Sequence, residues 1–235
     1  MGASDRSSLG LKPELVRAAS SWPTNADLVL DLVRLGYLNE GDAVLDPTFG
    51  RGKWWTKFRP ENLTTHDRYT LDGVDFRDLP HEDDSFDAVT FDPPYVCPGG
   101  LKTSKIADMH DRYGLASGTQ EAERDFSTPA ELQVVIDAGL AECHRVVKPG
   151  GLVLAKCKDY VTSGKLWIGT HWTLCAGLAL GFECVDRFEH VGAPGPQSQT
   201  RQVHARRNLS TLFVLRKARG PRSRADSELP FGDAP

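Results

Sequence analysis

No stretch of the 235 residues stays apolar for the roughly 18 positions that a membrane-crossing helix needs. The leading residues, Met1 to Arg6, lack the basic-then-apolar pattern of a secretory leader. A cytoplasmic protein with no membrane partner is expected. Cysteine is scarce, with five residues at Cys97, Cys143, Cys157, Cys175 and Cys184. The count is odd and no CxxC pair occurs, so a disulfide framework or a metal centre is not expected. Buried reduced thiols are the reading instead. Internal repeats are absent. Acidic residues are missing from the whole stretch between His190 and Ala225.

That last gap is informative because the molecule as a whole is mildly acidic, with a net charge of -4. A general affinity for nucleic acid is therefore excluded. The acid-free stretch nevertheless holds Arg201, Arg206, Arg207, Arg216, Lys217, Arg219, Arg222 and Arg224. Such a local basic surface suits phosphates, or is simply a solvated strand and tail.

The length suits one α/β domain with a full core. A helix is expected from Thr24, with Asp27 in its first turn and Leu28, Leu32 and Leu35 on its apolar face, ending near Gly36. Asp42–Asp46 reads as a short buried strand, followed by a turn and a short helix from Lys53. Further strands are expected at Leu63–His66, near Gly73–Asp75, and at Ser85–Phe91. Pro93 and Pro94 must end the last of these. Thr128-Pro129-Ala130-Glu131 is a capping box with proline at the first helical position. Leu132, Val135, Ile136, Leu140, Cys143 and Val147 continue at helical spacing. A strand at Leu152–Lys156, a helix over Leu166–Leu180 and strands at Glu183–His190 and Thr211–Arg216 complete the pattern. The last two strands have no helix between them and should pair antiparallel at one edge. Alternating strands and helices imply a mostly parallel sheet covered on both faces.

In such sheets ligands bind beyond the carboxyl ends of the strands. Two ends carry chemistry. At the first, Gly50 and Gly52 let the backbone approach a ligand, and Asp46 can accept from an ammonium group. A dinucleotide site would want glycine where Trp55 stands, and a phosphate loop is incompatible with Pro47 and Trp54. A methionine-type cofactor and a plain strand-to-helix turn both remain. Asp67 follows the second strand, where a carboxylate can bind a ribose. Asp75 and the amide of Phe76 follow the third, where they can read an adenine edge. Either acid also reads as an ordinary surface carboxylate.

The second end, Phe91-Asp92-Pro93-Pro94-Tyr95, is sharper. An aromatic exocyclic amine is a poor nucleophile because its lone pair is delocalised into the ring. Two acceptors aimed at its two N–H groups concentrate that lone pair on nitrogen. The Asp92 carboxylate and the Pro93 carbonyl can be those acceptors, held by the fixed φ of Pro93 and Pro94. Tyr95 offers a face on which a base can stack. A strand ending in a Pro-Pro turn with a packed tyrosine is the bland alternative.

With these residues in view, the chain resembles the amino-methyltransferases of the Rossmann-like, class I S-adenosylmethionine-dependent superfamily, in particular the DNA adenine-N6 and cytosine-N4 group with a DPPY motif. The resemblance covers roughly residues 23 to 217. Val44 to Gly52 resembles the first motif, Gly73 to Pro80 the adenine-reading segment, and Asp92 to Tyr95 the catalytic motif. Val147 to Gly151 is similar to the lead-in to the fifth strand, and His204 to Val214 to the ending of the DNA group. The resemblance implies a three-layer αβα sandwich on a mostly parallel seven-stranded sheet with an antiparallel edge strand. It implies S-adenosyl-L-methionine held by Asp46, Pro47, Phe49, Gly50, Gly52, Asp67, Asp75 and Phe76, with Thr24 starting the helix that flanks the methionine end. Asp92, Pro93, Pro94 and Tyr95 would hold the amine.

Departures are visible too. Thr48 precedes Phe49 where an aromatic residue is usual, Lys53-Trp54-Trp55 replaces small residues, and little chain separates Asp67 from Asp75. No large target-recognition domain is expected within these residues. DNA is the favoured partner and RNA the alternative, with Arg201, Arg206 and Arg207 on the phosphates. A non-catalytic binding module on the same fold is a third reading. The organisation expected is a flexible segment over 1–22 and a catalytic domain over 23–217. That domain would carry a lid or substrate loop at 96–127 and a basic loop at 192–210, and a disordered tail at 218–235 would follow.

Overall fold

A computed structural model describes residues 22, 24–95, 126, 128–191, 203–205 and 208–219. The segments 1–21 and 220–235, nearly all of the 96–127 loop, and Arg201, Arg206 and Arg207 lie outside the described residues.

Local chemistry sets the elements. Helix α1 (Asn25–Arg34) starts where the Thr24 side chain accepts from the Asp27 amide, and it buries Leu28, Val29 and Leu32. Strand β1 (Ala43–Asp46) leads through a turn into one 3-10 turn at Lys53–Trp55, then β2 (Asn62–Thr65) and β3 (Phe86–Phe91). Helix α2 (Pro129–Val146) opens on the expected capping box, with Thr128 and Glu131 bonded reciprocally. Strand β4 (Val147–Cys157) follows, then β5 (Tyr160–Thr162), β6 (Lys165–Trp167), helix α3 (Gly169–Ala179), β7 (Phe182–Val191) and β8 (Leu209–Lys217).

The main sheet has the order β2-β1-β3-β4-β8-β7. The first four strands are parallel, and β8 runs antiparallel to both β4 and β7. Alternate residues serve opposite faces. Val153, Ala155, Phe213 and Leu215 meet α2 and α3, while Leu154, Leu212 and Val214 meet α1 and the 3-10 turn. The result is the Rossmann-like three-layer αβα sandwich.

Four details differ from expectation. Six strands, not seven, form this sheet among the described residues. Gly73–Asp75 is not a strand. The Asp67 carbonyl accepts from the amides of Leu71, Asp72 and Gly73, and Asp72 accepts from Val74, so local turns use the groups a ladder would need. The antiparallel strand is not at the edge. Thr211–Leu215 of β8 is buried on both faces and belongs inside, whereas the half-exposed β7 takes the rim. Finally, α3 starts at Gly169 rather than Leu166. Tyr160–Trp167 instead forms a hairpin closed by Ser163 and Gly164, whose φ values of 49° and 72° suit a tight two-residue turn. Of the cysteines read as buried thiols, Cys143 and Cys157 are buried, Cys184 is half-buried and Cys175 is exposed, while Cys97 lies outside the described residues. No described helix is long and apolar enough to cross a membrane.

Candidate active site

The carboxyl ends of the parallel strands bring together groups far apart in the chain. Asp46 ends β1 and is buried. One of its oxygens accepts from the Thr48 amide at 3.0 Å and hydroxyl at 3.3 Å, the other from the Trp55 indole at 2.7 Å. Burial pushes its carboxyl up to about 7 against those bonds, and the nearby Asp92 charge adds to the rise.

Asp92 follows β3. Its amide donates to the Thr48 hydroxyl at 3.0 Å, and its Oδ2 accepts from the Trp54 indole at 3.0 Å. Its Oδ1 is buried with no hydrogen-bond partner among the described residues. An acceptor held dry and unsatisfied is uncommon in native proteins and asks for an explanation. Pro93 is buried beside it, and Pro94 and Tyr95 are half-buried. Tyr95 opens a pocket whose walls include Ile136, Cys157, Tyr160, Trp172 and Thr173.

The turn after β1 passes through Gly50 and Gly52 at φ 53° and 64°. A side chain at Gly50 would meet no atom nearer than 4.0 Å, so that side of the turn is open. At Gly52 a Cβ would strike the Phe49 ring at 2.6 Å, so Phe49 closes the other side. Pro47 lies in the same turn and is buried.

The remaining predicted cofactor residues are near but engaged. Asp67 accepts from the amides of Gly50, Tyr69 and Thr70, which occupies three of its roughly four lone-pair sites. Asp75 accepts from the Arg77 amide and guanidinium and pairs with Arg68, and the Arg77 guanidinium foremost holds it below the usual carboxylate range. Phe76 packs edge-on against Phe91 at 5.4 Å. Thr24 spends its hydroxyl on the α1 cap and on Asp27.

Four residues at this edge were not anticipated from the sequence. Trp54 and Trp55 each give an indole N–H to a strand-end carboxylate. Lys156 is buried on the α1 face, with its ammonium on Asn25 Oδ1 and 5.8 Å from the centre of the Trp54 ring. His190 donates from Nε2 to the Trp22 carbonyl at 2.9 Å, and its Nδ1 is buried without a partner among the described residues. Burial, then the Lys156 charge, hold its imidazole below the ordinary range. One sequence signal did exist: a lysine interrupting the buried run Leu152–Cys157. Of the basic loop over 192–210, His204 is among the described residues and donates to the Gly164 carbonyl at the hairpin tip, 3.0 Å away.

Sheet order, strand directions and the site at the strand ends together define a Rossmann-like α/β fold typical of class I S-adenosylmethionine-dependent methyltransferases. No protein-family model and no characterised protein sequence matches the chain. Solved structures do. A Thermus thermophilus protein provisionally named a DNA modification methylase, crystallised with S-adenosyl-L-methionine, is 18% identical. The match covers 63% of this chain and 55% of that one, with a TM-score of 0.39, so the chain spans about half the length of that relative. The Burkholderia thailandensis 1,6-didemethyltoxoflavin-N1-methyltransferase is 14% identical over 83% of this chain and 76% of its own, with a TM-score of 0.46. The cyclase SpnF is 16% identical over 87% and 85%, with a TM-score of 0.47. Likeness at this level concerns the fold alone.

Proposed function

We propose that the chain is an S-adenosylmethionine-dependent methyltransferase acting on an exocyclic amino group of a nucleobase, adenine N6 or cytosine N4, in DNA. The observation that carries this reading is the buried Oδ1 of Asp92 in the Asp92-Pro93-Pro94-Tyr95 turn, which has no hydrogen-bond partner among the described residues. It lies one strand away from the open glycine turn after β1.

The described residues fit the cofactor best at its methionine end. The open side of Gly50 leaves room for an amino acid moiety, and Asp46 lies beneath this turn with both oxygens bonded to protein groups. When bound, the cofactor supplies an activated methyl on a sulfonium. The protein's own work is orientation, which can supply up to about 7–11 kcal/mol of a barrier. Asp92 Oδ1 and the Pro93 carbonyl accept the two N–H bonds of the amine. Tyr95 stacks the ring. In duplex DNA the base must leave the stack, at a cost of a few kcal/mol. Arg201, Arg206 and Arg207 are proposed to hold phosphates, which makes binding steeply salt-dependent.

The test is transfer of a labelled methyl from S-adenosylmethionine to DNA and to RNA of varied sequence, followed by nucleoside mass spectrometry. N6-methyladenine or N4-methylcytosine in DNA is the expected product. Transfer to RNA alone would replace DNA by RNA as substrate. One observation favours a second reading. Asp67 and Asp75 are already engaged by protein groups, as a non-catalytic module on this fold would leave them. Calorimetry separates the two, because such a module shows no binding heat with S-adenosylmethionine.

A further inference from the structure

Lys53-Trp54-Trp55 stands where the resemblance expects small residues, and the proposed function gives this replacement no role. The two indoles share a geometry. Trp55 Nε1 donates to Asp46 Oδ2 at 2.7 Å, and Trp54 Nε1 donates to Asp92 Oδ2 at 3.0 Å. Neighbouring residues on one 3-10 turn thus hold carboxylates from two adjacent parallel strands.

The clamp is itself fixed. Both rings are buried, at 6% and 5% exposure. The Trp55 amide donates to the Gly52 carbonyl at 3.1 Å, closing the turn. The Lys156 ammonium sits over the Trp54 ring and is tied to Asn25, so β4 and α1 both hold the indole. On the other side, Thr48 accepts from the Asp92 amide while its own hydroxyl donates to Asp46. With its amide and one oxygen both tied, the Asp92 carboxylate cannot turn without breaking the bond to Trp54. Its two oxygens therefore differ: Oδ2 is occupied, and Oδ1 has no partner among the described residues.

The geometry points to Trp54 as a positioning residue for methyl transfer: its indole N–H pins Asp92 Oδ2, so that of the two carboxylate oxygens Oδ1 faces the target amine. This rests on the proposed function. Trp54 does not touch the substrate and acts through Asp92. Buried indoles commonly find some acceptor, so a tryptophan that merely filled the core could make the same bond without its mattering to transfer. The two roles separate experimentally.

Trp54→Phe keeps a ring beneath Lys156 and removes the N–H. In the full chain, kcat for transfer to DNA should fall about 10-fold to 100-fold, the scale of a misplaced reacting group. KM for DNA and the Kd for S-adenosylmethionine should stay within about 3-fold, because the lost bond orients one oxygen and binds neither ligand. In an Asp92→Asn background the same substitution should change the residual rate by less than about 3-fold, since groups acting as a unit are non-additive. An equal loss in both backgrounds overturns the inference. A second arm needs neither activity nor a folded Trp54 variant. In 15N-indole spectra of the full chain, Asp92→Asn should move the Trp54 N–H resonance and leave that of Trp55 in place. An unmoved Trp54 signal overturns the inference alone. Absence of transfer by the wild-type chain sinks the proposed function, and with it the catalytic half of this inference.

Discussion

Replacing Asp46 by asparagine removes an ionisable group from beneath the first turn at nearly constant volume. The carboxyl is 3% exposed, and burial raises it from 3.8 to about 7. The folded state therefore holds the Asp46 proton more tightly than the unfolded chain does. Its contribution to stability is full below about pH 4 and is lost as pH rises through about 7. At about 1.36 kcal/mol per pK unit, the loss reaches about 4 kcal/mol by pH 8. Asparagine keeps a carbonyl for the Trp55 indole and carries no charge, so its stability lacks this slope. Carboxylates remote from Asp46 titrate equally in both proteins and cancel in the difference. The assay is urea unfolding of the wild type and Asp46→Asn at steps from about pH 4.5 to about pH 8.5, read as the difference in unfolding free energy. Relative to the wild type, the variant should gain about 3–4 kcal/mol across that range, most steeply between about pH 5 and pH 7. A difference flat to within about 1 kcal/mol would refute the premise that a dry site holds this carboxyl protonated below neutrality.

Three further outcomes follow from the site. Asp92→Ala should lower methyl transfer at least about 1000-fold while the calorimetric Kd for S-adenosylmethionine stays within about 3-fold; equal loss of both would move Asp92 into the cofactor site. Tyr95→Ala should cost about 1–3 kcal/mol of base binding, read in KM for DNA, and Tyr95→Phe should be mild because the face that stacks is retained. Gly139→Ala places a Cβ 2.5 Å from the Phe76 ring and 2.7 Å from the Phe91 ring, both packed against α2. It should destabilise the fold by about 1–3 kcal/mol in urea titrations. An unchanged midpoint would show that the two rings yield freely.

The features legible in the sequence were those whose cause lies within a few residues. Thr128 and Glu131 cap α2 across one turn, and the helix starts where they stand. The apolar runs of β1, β3 and β8 announced buried strands, and Pro93 and Pro94 marked where β3 ends. The chemistry of the Asp92 turn is likewise local, which is why it stood out before any fold was known. Tertiary structure alone decided the rest, because the deciding contacts join distant positions. Burial on both faces put β8 between β4 and β7, a choice made by neighbours and not by propensity. Asp67 met the Gly50 amide, 17 residues away, and so lost the freedom that its place at a strand end suggested. Trp54 reached Asp92 across 38 residues, and Lys156 reached Asn25 across 131. A residue's own identity states that an indole carries a donor and a carboxylate an acceptor. Only the packing of β1 beside β3 brings these two within 3.0 Å of each other.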